Sequence, residues 1–142
     1  MASPSPERTV ADFARRGNAL RSSRPRDPRV LLVRHTIEER LASPIDCQHL
    51  ACCVGLSRSR LEHLFKQELG ISMRRYLCRV RLQTALRSLA NRALRISEIA
   101  YQVGFAHPSN FDHAFRQEYG VSPRRYRSIL DAQSSLAEST KE

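Results

Sequence analysis

Sixteen residues of this chain are written twice. LEHLFKQELGISMRRY at 61–76 recurs as FDHAFRQEYGVSPRRY at 111–126, displaced by 50 positions. Nine pairs are identical, among them His63/His113, Phe65/Phe115, Gln67/Gln117, Glu68/Glu118 and Tyr76/Tyr126. Upstream the match continues at a displacement of 49, where Leu50-Ala51 and Val54-Gly55 echo Ile99-Ala100 and Val103-Gly104. One residue has therefore been added in the second copy, around His107-Pro108. A repeat of this length is one supersecondary unit used twice, so the unit decides the fold.

Helical signals run through both copies. Asp27-Pro28 reads as an N-cap with proline at the first helical position. Val30, Val33, Ile37 and Leu41 then mark one face at three- and four-residue spacing, and Ser43-Pro44 closes that helix. Asp46 caps a short helix through Val54, stopped at Gly55. A longer one follows from about Ser57 to Leu69, with Leu61, Leu64, Phe65 and Leu69 inward. From Ser72 a helix runs to about Ala90, burying Leu77, Val80, Ala85, Leu86 and Leu89. The pattern repeats from near Ser97 to Val103 and from Pro108 to Tyr119, and Ser122-Pro123 opens a last helix to about Leu130. No segment alternates in the manner of a strand, so the expected fold class is all-α. Residues 1–27, with little apolar periodicity apart from a short Val10–Ala14 stretch, read as a flexible basic arm, and 131–142 as a frayed tail.

Each unit is a short helix, a glycine turn and a longer helix. Ala51 or Ala100 permits close helix approach, the glycine four residues on permits a sharp turn, and Leu61 or Phe111 anchors the second helix. That is a helix-turn-helix, whose second helix would enter a DNA major groove. Charge supports it: the formal net charge is +10, and 22 of 24 basic residues are arginine. Arginine's planar fork suits phosphates and guanine edges, and such a balance calls for a polyanionic partner. The intervening helix, about 17–18 residues, would span roughly 26 Å. With its turns it could hold two reading helices about one DNA turn (~34 Å) apart. Since the reading helices differ, the target is expected to be non-palindromic and the binding species a monomer.

Other classes fit less well. No glycine-rich phosphate loop, metal-hydrolase helix or nucleophile elbow is present, so no enzyme is expected. No signal peptide or membrane span is visible, which with four cysteines lacking a disulfide or zinc pattern suggests a reduced cytoplasmic, nucleoid-associated setting. Cys47 aligns with Ile96 and reads as a buried hydrophobe; Cys78 reads as packing. His49 and Cys53 stand one helical turn apart, but metals normally need three or four ligands, so no metal or cofactor is expected. A Cys52/Cys53 metal or redox sensor, and a non-specific nucleic-acid binder, are the alternatives.

The stretch from about Val30 to Tyr126 resembles the AraC/XylS-type DNA-binding domain. ISEIAYQVGFAHPSNFDHAFRQEYGVSPRRYR at 96–127 is similar to that family's signature almost throughout, and LACCVGLSRSRLEHLFKQELGISMRRYL at 50–77 fits nearly as well. The resemblance implies seven helices in two helix-turn-helix subdomains (about 28–72 and 94–130) joined by a linker helix (about 73–90). It further implies transcriptional regulation, most often activation; a module without its own sensor would depend on expression level, on another protein or on RNA polymerase. With only a short arm ahead of the domain, the chain looks like the compact single-module branch typified by MarA and SoxS. No small-molecule effector is then expected to bind within it.

Carrying the family pattern across, Ser57, Arg58, Ser59, Arg60, Glu62, His63 and Lys66 form the outer side of the first reading helix. Ser59, Glu62 and His63 fall at base-facing positions, and Arg58, Arg60 and Lys66 suit phosphates. In the second helix His107, Pro108, Ser109, Asp112 and His113 match base-facing or groove-entry positions, with Asn110 and Arg116 nearer the backbone. Family members often carry arginine where His63 and His113 stand; here each helix has an acid–histidine pair instead, Glu62-His63 and Asp112-His113. Carboxylates accept from cytosine N4 but repel phosphate, so modest base readout with phosphate-dominated affinity is expected, unless the acids touch no base at all. Ser72 and Ser122 open helices whose exposed N–H groups can grip phosphate, with Arg74-Arg75 and Arg124-Arg125 in their first turns. Tyr76 and Tyr126 are expected in the core beneath them.

Overall fold

The computed structural model describes residues 11–16 and 24–140. Among them every regular element is helical: α1 (residues 11–16), α2 (Pro28–Glu39), α3 (Cys47–Cys53), α4 (Arg58–Leu69), α5 (Met73–Ser88), α6 (Ile96–Gln102), α7 (Pro108–Tyr119) and α8 (Pro123–Ser139).

Local chemistry starts these helices where the side chains can cap them. Asp27 accepts from the Arg29 N–H at 2.9 Å, and Asp46 from those of Gln48 and His49 at 2.9 and 3.2 Å. Ser57, Ser72 and Ser122 accept from the N–H three residues on, at 3.3, 3.2 and 3.1 Å. Each satisfies a donor that the first helical turn leaves unpaired. In α6 the Glu98 carboxylate reaches back to accept from the Arg95 N–H at 2.6 Å.

The two copies of the turn are closed by the same bonds. Leu56 N–H donates to the Ala51 carbonyl and Gly55 N–H to that of Cys52; Phe105 and Gly104 do the same to Ala100 and Tyr101, all at 2.9–3.1 Å. This six-to-one and five-to-two pairing needs a residue with positive φ, and Gly55 and Gly104 have φ of 70° and 101°. Ala51 and Ala100 are fully buried under the crossing helix. The added residue of the second copy lies inside the turn: α4 is capped two residues after Gly55, by Ser57, and α7 three residues after Gly104, by His107.

Two cores result. Val30, Val33, Ile37, Leu50, Ala51, Leu61, Phe65, Met73, Tyr76 and Val80 form the first. Leu82, Ala85, Leu86, Leu89, Ile99, Val103, Phe111, Phe115, Tyr119 and Tyr126 lie in the second. The linker helix α5 is thus more than a rod: its first half closes one core and its second half the other. Leu41, just beyond α2, packs against both clusters. Tyr76 and Tyr126 are buried as the repeat predicts.

Several expectations need correction. The first helix stops at Glu39 rather than at Ser43-Pro44, with Arg40 as its cap. Leu64, Leu69 and Leu77 are half-buried rather than enclosed. The expected arm is ordered in part: in α1, Phe13 is 2 % exposed and packs edge-on against Tyr119 and Tyr126, with ring centroids at 5.9 and 5.2 Å. Edge-to-face geometry of this kind adds to the burial of apolar area. The Arg16 guanidinium also donates to the Glu118 carbonyl at 3.2 Å. Residues 1–10 and 17–23 of that arm lie outside the described residues. At the other end α8 continues to Ser139, nine residues past the expected stop, although its last turns are exposed. Ala132, Gln133, Leu136 and Ala137 are good helix formers, which sustains helix without packing.

Candidate nucleic-acid interface

The buried stripes of α4 and α7 determine what those helices show outward. At about 100° per residue, Ser59, Glu62, His63 and Lys66 share the side opposite Leu61 and Phe65. In α7 the same arithmetic puts Ser109, Asp112, His113 and Arg116 opposite Phe111 and Phe115. Leu61, Phe65, Phe111 and Phe115 are all fully buried. Ser57, Arg58, Ser59, Arg60, Glu62, His63, Lys66, His107, Ser109, Asn110, His113 and Arg116 are exposed, while Pro108 and Asp112 are half-buried. Gln67 and Gln117, identical in the two copies, are exposed at the edge of the same stripe, next to His63 and His113 in the helical sense. Sequence reasoning passed over them, although their identity across the repeat was a signal.

The acids of the reading helices are engaged, and not by the neighbouring histidines. Glu62 accepts from Arg58 Nε at 2.9 Å, and Asp112 pairs with Arg116 Nε at 2.8 Å. Both are one-turn pairs; the hydrogen bond from Arg58 to Glu62 raises that guanidinium's pKa. Each carboxylate's repulsion toward phosphate is therefore offset by an arginine of its own helix. Such solvent-exposed pairs are weak, so the arginines can exchange partner when a polyanion approaches.

The starts of α5 and α8 are built alike. Ser72 and Ser122 are the caps, Arg74 and Arg124 occupy the second helical position, and Arg75 and Arg125 the third. All four arginines are exposed, above buried Met73 and Tyr76 in one copy and Pro123 and Tyr126 in the other. In contrast to Ser57, His107 makes no side-chain cap bond, leaving its ring to the surface, and Pro108 supplies the first position of α7.

A groove between α4 and α5 gathers seven of the expected residues: Arg58, Ser59, Glu62, His63, Lys66, Ser72 and Arg74. Met73, Leu77, Cys78, Arg81, Phe105 and the segment 44–47 also line it. Burial pulls the Arg81 guanidinium below arginine's ordinary pKa and pushes the Cys78 thiol up. The expected residues of the second unit are presented on α7 and α8 and do not line this groove.

Cys47 and Cys78 pack against the two cores, whereas Cys52 and Cys53 are exposed. Cys53 Sγ lies 3.6 Å from His49 Nε2. Among the described residues no third His, Cys, Asp or Glu joins them to make a metal-binding group. No helix of the described residues is long and apolar enough to cross a membrane.

Two turns closed by the same pair of bonds thus carry two outward faces. Residues 50–129 match a family model described as a helix-turn-helix domain. The chain belongs to the AraC/XylS-type DNA-binding domain family. It is 32 % identical over 96 residues to the HTH-type transcriptional regulator GlxA of Rhizobium meliloti, covering 68 % of this chain and 30 % of that protein. Among solved structures, the C-terminal domain of the response regulator AraT from Geobacillus stearothermophilus is 33 % identical with a TM-score of 0.67, covering 72 % of this chain and 85 % of that one. The DNA-binding domain of the global transcriptional factor AdpA, solved in complex with a target DNA, gives a TM-score of 0.68 at 27 % identity, covering 73 % and 94 %. The chain spans about a third or less of the length of the curated relatives it matches.

Proposed function

We propose that this chain binds double-stranded DNA sequence-specifically as the DNA-reading part of a transcriptional regulator. It would lay α4 and α7 into successive major-groove segments of a non-palindromic site. The observation that carries this reading is the pair of identically closed turns presenting homologous outward stripes, each flanked by a serine-capped helix start with two exposed arginines. The AdpA domain, close in fold, was solved on its target DNA, and named relatives include an HTH-type transcriptional activator, RhaS of Escherichia coli.

In this reading Ser59, His63, Ser109 and His113 face base edges, with Glu62 and Asp112 held back by Arg58 and Arg116. Arg60, Lys66, Asn110 and the arginine pairs at 74–75 and 124–125 take phosphates, aided by the free N–H groups of the first helical turns. Affinity then comes mostly from phosphate neutralisation and falls steeply with salt. One chain serves one site, activation proceeds through contact with RNA polymerase, and the setting is cytoplasmic.

Selection of bound duplexes from a random pool tests this, followed by competition with excess random DNA. Recovery of a two-block motif whose complex survives the competitor supports sequence-specific regulation. Complexes that random duplex displaces in proportion to its mass would identify a non-specific binder instead.

A further inference from the structure

Where the two helix-turn-helix units meet, a single arginine of α5 holds both. Arg81 Nε donates to the Leu41 carbonyl at 2.6 Å, and Nη2 to the Ser43 carbonyl at 3.2 Å. Its guanidinium carbon lies 5.9 Å from the centroid of the Phe105 ring. Leu41 and Ser43 belong to the loop that leads into α3 and hence into the first unit. Phe105 belongs to the turn of the second unit. The fit there is tight: a Cβ on Gly104 would stand 2.8 Å from Ala42 Cα and 2.9 Å from Arg81 Nε.

We propose that Arg81 is a specificity-determining positioning residue, fixing the pose of α7 relative to α4 and thereby the number of base pairs accepted between the two half-sites. This rests on the DNA-binding reading above. Inserting one base pair displaces the second half-site by about 3.4 Å and turns it by roughly 35° about the duplex. Units joined by α5 alone could follow such a change by bending the helix. Units wedged at Ala42, Gly104 and Phe105 cannot follow without parting that contact. Arginine suits the role because its rigid fork serves two carbonyls at once while its face lies on a ring; a lysine offers no fork and no planar face. Arg127 gives an internal contrast. It donates to the carbonyls of Leu89, Asn91 and Leu94 at 3.1, 3.3 and 3.0 Å, a comparable grip whose three acceptors all lie between the end of α5 and the start of α6.

The experiment compares the full chain with Arg81→Met and Arg127→Met, each used to select from one random duplex pool. Wild type should enrich two sequence blocks at a single separation. Arg81→Met should enrich the same blocks over several separations. On the wild-type winner, one inserted base pair should weaken wild type at least about tenfold and Arg81→Met about threefold or less. Arg127→Met should keep the single separation. If Arg81→Met keeps the wild-type separation and penalty, or if Arg127→Met relaxes the spacing equally, the inference is overturned. Should wild type enrich no motif or one block, the DNA-reading proposal itself fails and takes this inference with it. If circular dichroism shows Arg81→Met unfolded, Arg81→Lys carries the same comparison.

Discussion

Gly55 and Gly104 hold equivalent turns, and replacing each by alanine separates backbone strain from contact between units. Gly55 has φ of 70° and open space where a Cβ would stand. Left-handed backbone costs an L-residue about 1–2 kcal/mol, partly offset by the ~0.4–1 kcal/mol that alanine removes from the unfolded chain's entropy. Gly55→Ala should therefore lose about 1 kcal/mol. Gly104 carries the same kind of strain at φ of 101°, and its Cβ would meet Ala42 Cα at 2.8 Å and the Ala42 carbonyl oxygen at 3.0 Å. Those are backbone atoms, unable to rotate aside, and the third neighbour, Arg81 Nε at 2.9 Å, is tied to the Leu41 carbonyl. Overpacking adds about 1–3 kcal/mol, and disturbing the Arg81 bonds about 1 more. Gly104→Ala should thus lose about 3–5 kcal/mol. In urea titrations followed by circular dichroism, the midpoints should separate by an amount worth about 2–4 kcal/mol at unchanged slope, or roughly 8–16 °C in melting temperature. Equal losses at the two glycines would refute the packing of the second turn against the loop at Ala42.

Three further outcomes follow from other parts of the structure. Phe13→Ala should cost about 2–3 kcal/mol, below the ~3–5 of an enclosed core phenylalanine because a short helix can undock. Amide exchange at residues 11–16 should quicken with it, and Leu136→Ala, at a site 69 % exposed, should change stability by no more than about 0.5 kcal/mol; an unchanged Phe13→Ala midpoint would mean that α1 does not dock. Burial raises the pKa of Tyr119, with Glu118 adding to it, and burial likewise raises that of Tyr126. A group whose folded pKa is raised stabilises fully below its unfolded value, so stability should hold up to about pH 10 and fall above it, with tyrosinate absorbance from these two rings appearing at higher pH in the folded chain than in the unfolded one. Arg124→Ala should weaken binding similarly on all duplexes and reduce the salt slope by about one; an altered base preference would contradict its assignment to phosphate.

What could be read from residue order alone was the chemistry that closes within a few residues. The caps at Asp27, Asp46, Ser57, Ser72 and Ser122, and the turns at Gly55 and Gly104, are all local and all stand where the pattern puts them. So do Leu61 and Phe65 of α4 and the anchor Phe111 of α7, although Leu64 and Leu69 of the expected stripe are only half-buried. The docking of Phe13 was illegible for the opposite reason. Its segment is too short to show a period, and Tyr119 and Tyr126 lie more than a hundred positions away. Arg81 was one arginine among 22, and its role depends on a loop and a turn that meet only in three dimensions. The pairs Arg58–Glu62 and Asp112–Arg116 are one-turn spacings, legible in the sequence, and they engage the acids in place of the adjacent histidines.

The central claim is that one chain reads two groove segments. It is tested most directly by footprinting a selected duplex while native mass measurement counts the copies bound. The account predicts one copy per duplex, protecting two blocks about one helical turn (~34 Å) apart on the same face. A single protected block per copy, or a symmetric site filled by two copies, would contradict it.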